Sequence, residues 1–280
     1  MSRDEVDGYL ARLGVGVRPD PTLATLIDLH RRHLDAVPYD NLAIMLGRPP
    51  TADPGEALSR IAAGANAGYC FHHNGAFELV LDALGFEVER RPGQQLEELG
   101  GSGTLDHLVL VAVGLPTDDH RSGRWWPDLG YGDGFREPLP LREGGYRQGQ
   151  FRYRIARLGE DGWTFHHDPR GSFRGTVVGS VGVTQADVDA AHARLSTPPA
   201  GEFTRLLVVQ RRDDTGADTL RGIRHTRVGA GARVRDLREY AEWRAALTGL
   251  GLVLAGVSEE DLRDLHRRMS LTHDDWLAPR

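Results

Sequence analysis

Hydrophobic periodicity changes twice along this chain of 280 residues, and that change constrains the fold more than any single residue does. In "DPTLATLIDLHRRHLDAVPYDNL", Leu23, Leu26, Ile27, His30 and Leu34 recur at helical spacing, with Asp20 placed to cap and Pro21 to occupy the first helical position. "FELVLDALGF" repeats the device: Phe77, Val80, Leu81 and Leu84 share a face, and Gly85 is the expected stop. From about Glu87 to Val183 the pattern shortens to β-prone runs such as "HLVLVAV", "RWWPDLGYG", "FRYRIARL" and "GWTFHH", separated by Gly and Pro. After "LSTPPAGEF", strand-like "FTRLLVVQRR" and "DTLRGIRHTRV" give way to helical "VRDLREYAEWRAAL" and "SEEDLRDLHRRM", the last with Ser258 as its cap. Three regions follow: a helical one over 1–86, a β-rich one over 87–196 and a mixed one over 197–280.

Several functional classes are excluded at this level. Hydrophobic residues make up 40% and charged residues 26%, ordinary globular usage, and no apolar run approaches the roughly 20 residues of a membrane-spanning helix. The mixed, acidic "MSRDEVDGYLARLG" does not read as a secretory signal, so a cytoplasmic protein without a membrane partner is expected. A formal charge of -6 with no basic stripe argues against nucleic acid as a partner. The single cysteine, Cys70, can form neither an internal disulfide nor a multi-thiolate metal site.

Packing or reactivity is left for Cys70. It stands where "GANAGYC" meets a helical pattern, and a helix N-terminus or a neighbouring His lowers a thiol pKa from about 8.5. His107 heads the apolar run "HLVLVAV", a rigid place from which to offer a base. Asp128, in "WWPDLGYGDGF", precedes a Gly-rich turn and could orient that base. Cys, His and acid are the three parts of a nucleophile, base and orienter set. The same residues read equally as a small core cysteine, a structural histidine and turn chemistry, and periodicity does not separate the two readings.

Resemblance does. "NAGYCFHHNGAF", "LDHLVLVAV" and "PDLGYGDGFREPLPL", in this order, resemble the three active-site segments of the arylamine N-acetyltransferases, of the actinobacterial type. "YLARLG", "LHRRHLDAVPYDNL", "DPRGSFRG" and "LSTPPAGEFTRLLVVQRR" are similar to further family segments in register. The resemblance implies an α+β fold with an N-terminal helical bundle, a central β-barrel, a C-terminal α/β lid and a papain-like thiol core. It implies that Cys70 takes an acyl group from acetyl-CoA, as co-substrate, and passes it to a small-molecule amine, hydrazine or hydroxylamine, with His107 as base, Asp128 as orienter and no metal. Ser102, Gly103 and Thr104, in a loop suited to CoA phosphates, are the expected cofactor contacts. Tyr69, Phe71, Phe135 and Phe203 are the expected substrate contacts.

Departures from the family pattern concentrate around the cysteine. Members usually carry an arginine four residues before the nucleophile and a glutamate two after it, where this chain has Asn66 and His72. The usual Pro-Phe-Glu-Asn-Leu becomes Pro38-Tyr39-Asp40-Asn41-Leu42. Such changes keep open an amide synthase or biosynthetic N-acyltransferase that takes a longer acyl chain from an acyl carrier protein. His166, Asp168 and His225 resemble a non-haem iron ligand set, a reading that leaves Cys70 unexplained.

Overall fold

The computed structural model describes residues 3–96, 105–199 and 201–278. Eight α-helices occur among them: α1 (Arg3–Arg12), α2 (Leu23–Ala36), α3 (Leu42–Met45), α4 (Pro54–Ala62), α5 (Cys70–Ala83), α6 (Gln185–Ser196), α7 (Tyr240–Gly249) and α8 (Glu259–Leu277). The strands are β1 (Tyr39–Asp40), β2 (Glu87–Gln95), β3 (His107–Val113), β4 (Trp125–Trp126), β5 (Leu139–Pro140), β6 (Gly144–Gln148), β7 (Phe151–Gly159), β8 (Gly162–His166) and β9 (Gly175–Gly179), followed by β10 (Val208–Arg212), β11 (Gly216–Arg221), β12 (Arg224–Gly229) and β13 (Arg233–Asp236). The fold is α+β, with β2 to β9 forming an eight-stranded antiparallel barrel sheet in the order β5-β4-β3-β2-β9-β8-β7-β6. No helix among the described residues is long and apolar enough to cross a membrane.

Local chemistry accounts for the helix limits. α2 starts two residues later than Asp20 and Pro21 suggest, because the Thr22 side chain accepts the Thr25 N–H and takes over as N-cap. α5 starts at Cys70 itself and ends as its sequence predicts: Gly85 adopts φ +90°, its N–H reaches the Asp82 carbonyl, and Phe86 N–H reaches the Leu81 carbonyl. That pair of bonds is a Schellman closure, which needs a residue that tolerates the left-handed region. Ser258 caps α8 by accepting the Asp261 N–H, again as the sequence predicts.

Strand β3 is where two cores meet. Leu108, Leu110 and Ala112 point into the cluster built by α1, α2, α4 and α5, whereas Val109 and Val111 point into the barrel interior with Trp126, Phe135 and Phe165. A strand buried on both faces is held rigidly, each large apolar side chain contributing about 1.5–3 kcal/mol. His107, its first residue, inherits that rigidity.

The second sheet runs β1-β10-β11-β12-β13, and its first strand comes from near the N-terminus: Tyr39 pairs with Gln210 and Asp40 with Val209. Behind it, α7 and α8 cover a separate cluster containing Trp243, Leu247, Leu262 and Leu265.

Candidate active site

Cys70 occupies the first position of α5 and is 3% exposed. Its entry angle is set by Gly68 at φ +114°, where a side chain would lie 2.3 Å from His72 Nδ1, and by Tyr69, whose N–H donates to that same ring nitrogen at 3.2 Å. The Sγ lies 3.8 Å from the Asp106 carbonyl oxygen. Gly130 closes the other side: a methyl group there would stand 2.7 Å from Cys70 Cβ and 2.8 Å from His107 Cε1. Only glycine permits the loop after Asp128 to run this close to both side chains.

His107 is fixed from two directions. Its ring stacks on Tyr131 with centroids 3.9 Å apart, and Nε2 donates to Asp128 Oδ2 at 2.8 Å. Nδ1 has no hydrogen-bond partner among the described residues, which leaves it as the free nitrogen.

Asp128 is wholly buried, and four N–H groups converge on its two oxygens: His107 Nε2, Asn74 Nδ2 at 3.0 Å, Trp126 Nε1 at 3.1 Å and the Gly130 amide at 2.9 Å. This is the donor complement of a carboxylate that must keep its charge out of water. Asn74 does more than donate here. Its Nδ2 also reaches the Leu108 carbonyl at 2.7 Å and its Oδ1 accepts the Leu129 N–H at 2.9 Å, so one amide ties the cysteine helix, the histidine strand and the aspartate loop together. His30 holds the same loop from behind, accepting the Asp128 N–H through Nε2 and bonding the Arg136 carbonyl through Nδ1. Burial lowers the His30 pKa to about 4, so the ring is neutral, as that bonding pattern requires.

The thiol does not behave as its position alone suggests. Burial, and after it the charge of Asp128, push the Cys70 pKa well above its ordinary value, while the backbone N–H groups of Phe71 and Leu108 pull it down by less. The helix N-terminus is outweighed because the cysteine is buried. A thiolate is favourable here only with a positive partner beside it.

A cavity of about 140 Å³ adjoins Cys70 and His107, with Tyr39, Tyr131, Phe173 and Phe203 among its walls. Of the aromatics expected to touch substrate, Phe203 lies on it. Tyr69 and Phe71 do not: both are fully buried beside each other, the Tyr69 hydroxyl bonded to His192 Nδ1 at 2.7 Å. Phe135 also lies off the cavity, stacked on His30 in the layer behind Asp128, and Tyr131 takes the place on the wall. Ser102, Gly103 and Thr104 lie outside the described residues. Neutral hydrogen bonds replace both missing charges. Asn66 exchanges two hydrogen bonds with the backbone of Val253, and His72 reaches the Thr51 carbonyl at 3.1 Å. His166, Asp168 and His225 form no joint site: Asp168 pairs with Arg170 and His225 with Asp218. No group of three or more metal-ligating side chains occurs among the described residues.

Comparison with known proteins matches this architecture. A family model described as N-acetyltransferase covers residues 22–253. An arylamine N-acetyltransferase of Mycolicibacterium smegmatis is 32% identical over 225 residues, 78% of this chain and 80% of that protein. The chain belongs to the arylamine N-acetyltransferase family. It is therefore an acetyltransferase. The structure of the Mycobacterium marinum family member in complex with CoA superposes with a TM-score of 0.81 at 25% identity, over 94% of this chain and 98% of that one. A proansamycin X synthase of Amycolatopsis mediterranei is 31% identical over 145 residues, half of this chain and 54% of its own.

Proposed function

We propose that this arylamine N-acetyltransferase family member moves an acetyl group from acetyl-CoA to the nitrogen of an arylamine, hydrazine or hydroxylamine through a thioester on Cys70. The observation that carries the reading is the short Nε2 contact of His107 with the fully buried Asp128, which leaves Nδ1 as the unpartnered ring nitrogen, among the described residues, of a residue that lines the same cavity as Cys70. The CoA complex of the M. marinum relative supports the donor, and the arylamine N-acetyltransferase name of the M. smegmatis relative supports the acceptor.

Each half-reaction balances with these groups alone. His107 Nδ1 takes the Cys70 proton, and the sulfur attacks the acetyl carbonyl carbon. The tetrahedral adduct expels CoA thiolate, which receives the proton from imidazolium. An amine then attacks the Cys70 thioester, the carbon–sulfur bond breaks, and the amine proton returns through His107 to the sulfur. Because burial opposes an isolated thiolate, proton transfer must place imidazolium beside it, and Asp128 compensates that charge. Thioester exchange is close to neutral; amide formation drives the second half.

Intact-mass measurement after brief exposure to acetyl-CoA without acceptor tests the reading. One added acetyl on wild type, none on Cys70→Ala, and its discharge by an arylamine are expected. An unmodified protein whose thiol still reacts with an alkylating agent would refute acetyl-CoA as donor. That result would favour the second reading, a biosynthetic acyl transfer from another donor, and the similarity to a proansamycin X synthase is the observation that keeps a biosynthetic role in view.

A further inference from the structure

One wall of the cavity beside Cys70 is polar, and its hydrogen bonds are directional. Asp133 is 3% exposed and accepts both the Ser172 N–H at 2.6 Å and the Ser172 hydroxyl at 2.8 Å. Since that hydroxyl donates to Asp133, it must accept from Gln210 Nε2, 3.0 Å away, and the second Nε2 proton goes to Thr219 Oγ1 at 3.1 Å. The logic fixes the Gln210 amide orientation. Its Oε1 is left with no partner among the described residues, on a side chain 5% exposed that lines the cavity and folds against Gly132. The Asp133 carboxylate likewise has lone pairs beyond the two bonds from Ser172. The Tyr39 hydroxyl, also without a hydrogen-bond partner among the described residues, belongs to the residue paired with Gln210 across the β1–β10 ladder and lines the same space.

We propose that this wall selects the acceptor: a single-ring aromatic amine that carries, away from its reacting nitrogen, a second group able to donate a hydrogen bond. The inference rests on the acetyl-transfer reading for the identity of the reaction, but not for the binding preference itself. Room for one ring comes from the cavity, about 140 Å³, close to the roughly 150 Å³ that accommodates one benzene ring in an engineered apolar cavity. Its chemistry comes from Gln210 Oε1 and the Asp133 carboxylate. A ring that lies among Tyr131, Phe173 and Phe203 with its amine toward Cys70 turns its far substituent to these acceptors. A hydroxymethyl group there donates to an oxygen that faces the cavity without a hydrogen-bond partner among the described residues. A methyl group offers that oxygen no donor, and a carboxylate turned to this wall meets Asp133 with like charge, with Arg221 of the same cavity the opposing attraction.

Three acceptors of the same outline separate these cases: 4-aminobenzyl alcohol, p-toluidine and 4-aminobenzoate. Calorimetric titration of each into the uncharged enzyme is expected to rank them in that order, the alcohol binding about tenfold more tightly than p-toluidine. Discharge of acetylated enzyme should follow the same order in kcat/KM. Gln210→Leu should bring the alcohol-to-toluidine ratio close to one, and Asp133→Asn should raise the benzoate-to-toluidine ratio several-fold. Because each ratio is taken within one preparation, partial misfolding of a variant cancels. Equal binding of alcohol and toluidine by wild type, or ratios that neither variant moves, would overturn the proposal. The two readings fail separately: absence of acetyl on Cys70 refutes acetyl transfer, while the binding order stands or falls by itself.

Discussion

Asp128 and Asp40 are two carboxylates buried to nearly the same degree on either side of the cysteine loop, and the protein treats them in opposite ways. Asp128 collects four N–H donors. Asp40 accepts the Leu42 N–H through Oδ1, while its Oδ2 has no hydrogen-bond partner among the described residues, and neither does Nε of the nearby Arg60. Burial accordingly raises the Asp40 pKa to about 6, with the Leu42 and Gly68 amides and the charge of Arg60 offsetting only part of it. Desolvation raises a buried carboxyl, and donors to its charged form bring it down again. One loop supplies such donors in number, and the other carries its charge at a cost.

Breaking the well-supplied side should have the largest effect. Asp128→Asn removes the charge that balances imidazolium and presents N–H to groups that already donate, so acetyl transfer should fall by roughly 10³–10⁴. Steady-state rates corrected for folded protein by circular dichroism will check this, and a loss below tenfold would reduce Asp128 to a packing role. Next comes Asn74→Leu, which leaves the Leu108 carbonyl and Leu129 amide buried and unpaired. Urea unfolding should show a loss of about 3 kcal/mol. A loss near zero would mean that water replaces the amide.

The smallest effect sharpens the comparison from the other side. Asp40 has a higher pKa folded than unfolded, so wild type is fully favoured below about pH 4 and loses stability as pH rises toward 6 and above. Asp40→Asn keeps an oxygen for the Leu42 amide and has no charge to bury. It should unfold about 2 kcal/mol later than wild type at pH 8, with the gain gone at pH 4. Denaturant titrations at the two pH values decide it, and destabilisation at both would show that the attraction between the Asp40 charge and Arg60 outweighs the cost of burial after all.

Cys70, His107 and Asp128 could be named from local patterns, a lone thiol at a helix start, a histidine heading an apolar strand and an acid before a Gly-rich turn, but it was the resemblance of their segments to those of a known family that set them apart from core and turn residues. The β-rich middle and the α/β end were legible through changes of period. Asn74 was not singled out, although it stands four residues after Cys70, one helical turn along the same face, where a buried amide in an apolar pattern is itself a signal. His30 did appear on the apolar face of its helix, but its bond to the Asp128 amide joins positions 98 residues apart. The exchange of Phe135 for Tyr131 has a different cause. Gly130, Gly132 and Gly134 let the loop turn residue by residue, so no period tells which aromatic faces the cavity. Ser102 to Thr104 belong to the segment outside the described residues.

The pairing of Tyr39 with Gln210 also bears on when the pocket comes into being. A growing chain that has emerged as far as β9 already contains Cys70, His107, Asp128 and all the residues of the barrel. The strand that walls the cavity follows later, and closing that ladder brings together residues about 170 positions apart, the slow, entropy-limited kind of contact. Cys70, His107 and Asp128 can thus be assembled before they are enclosed, and the cavity wall is completed late, when β10 docks on a two-residue strand that has waited since early in synthesis.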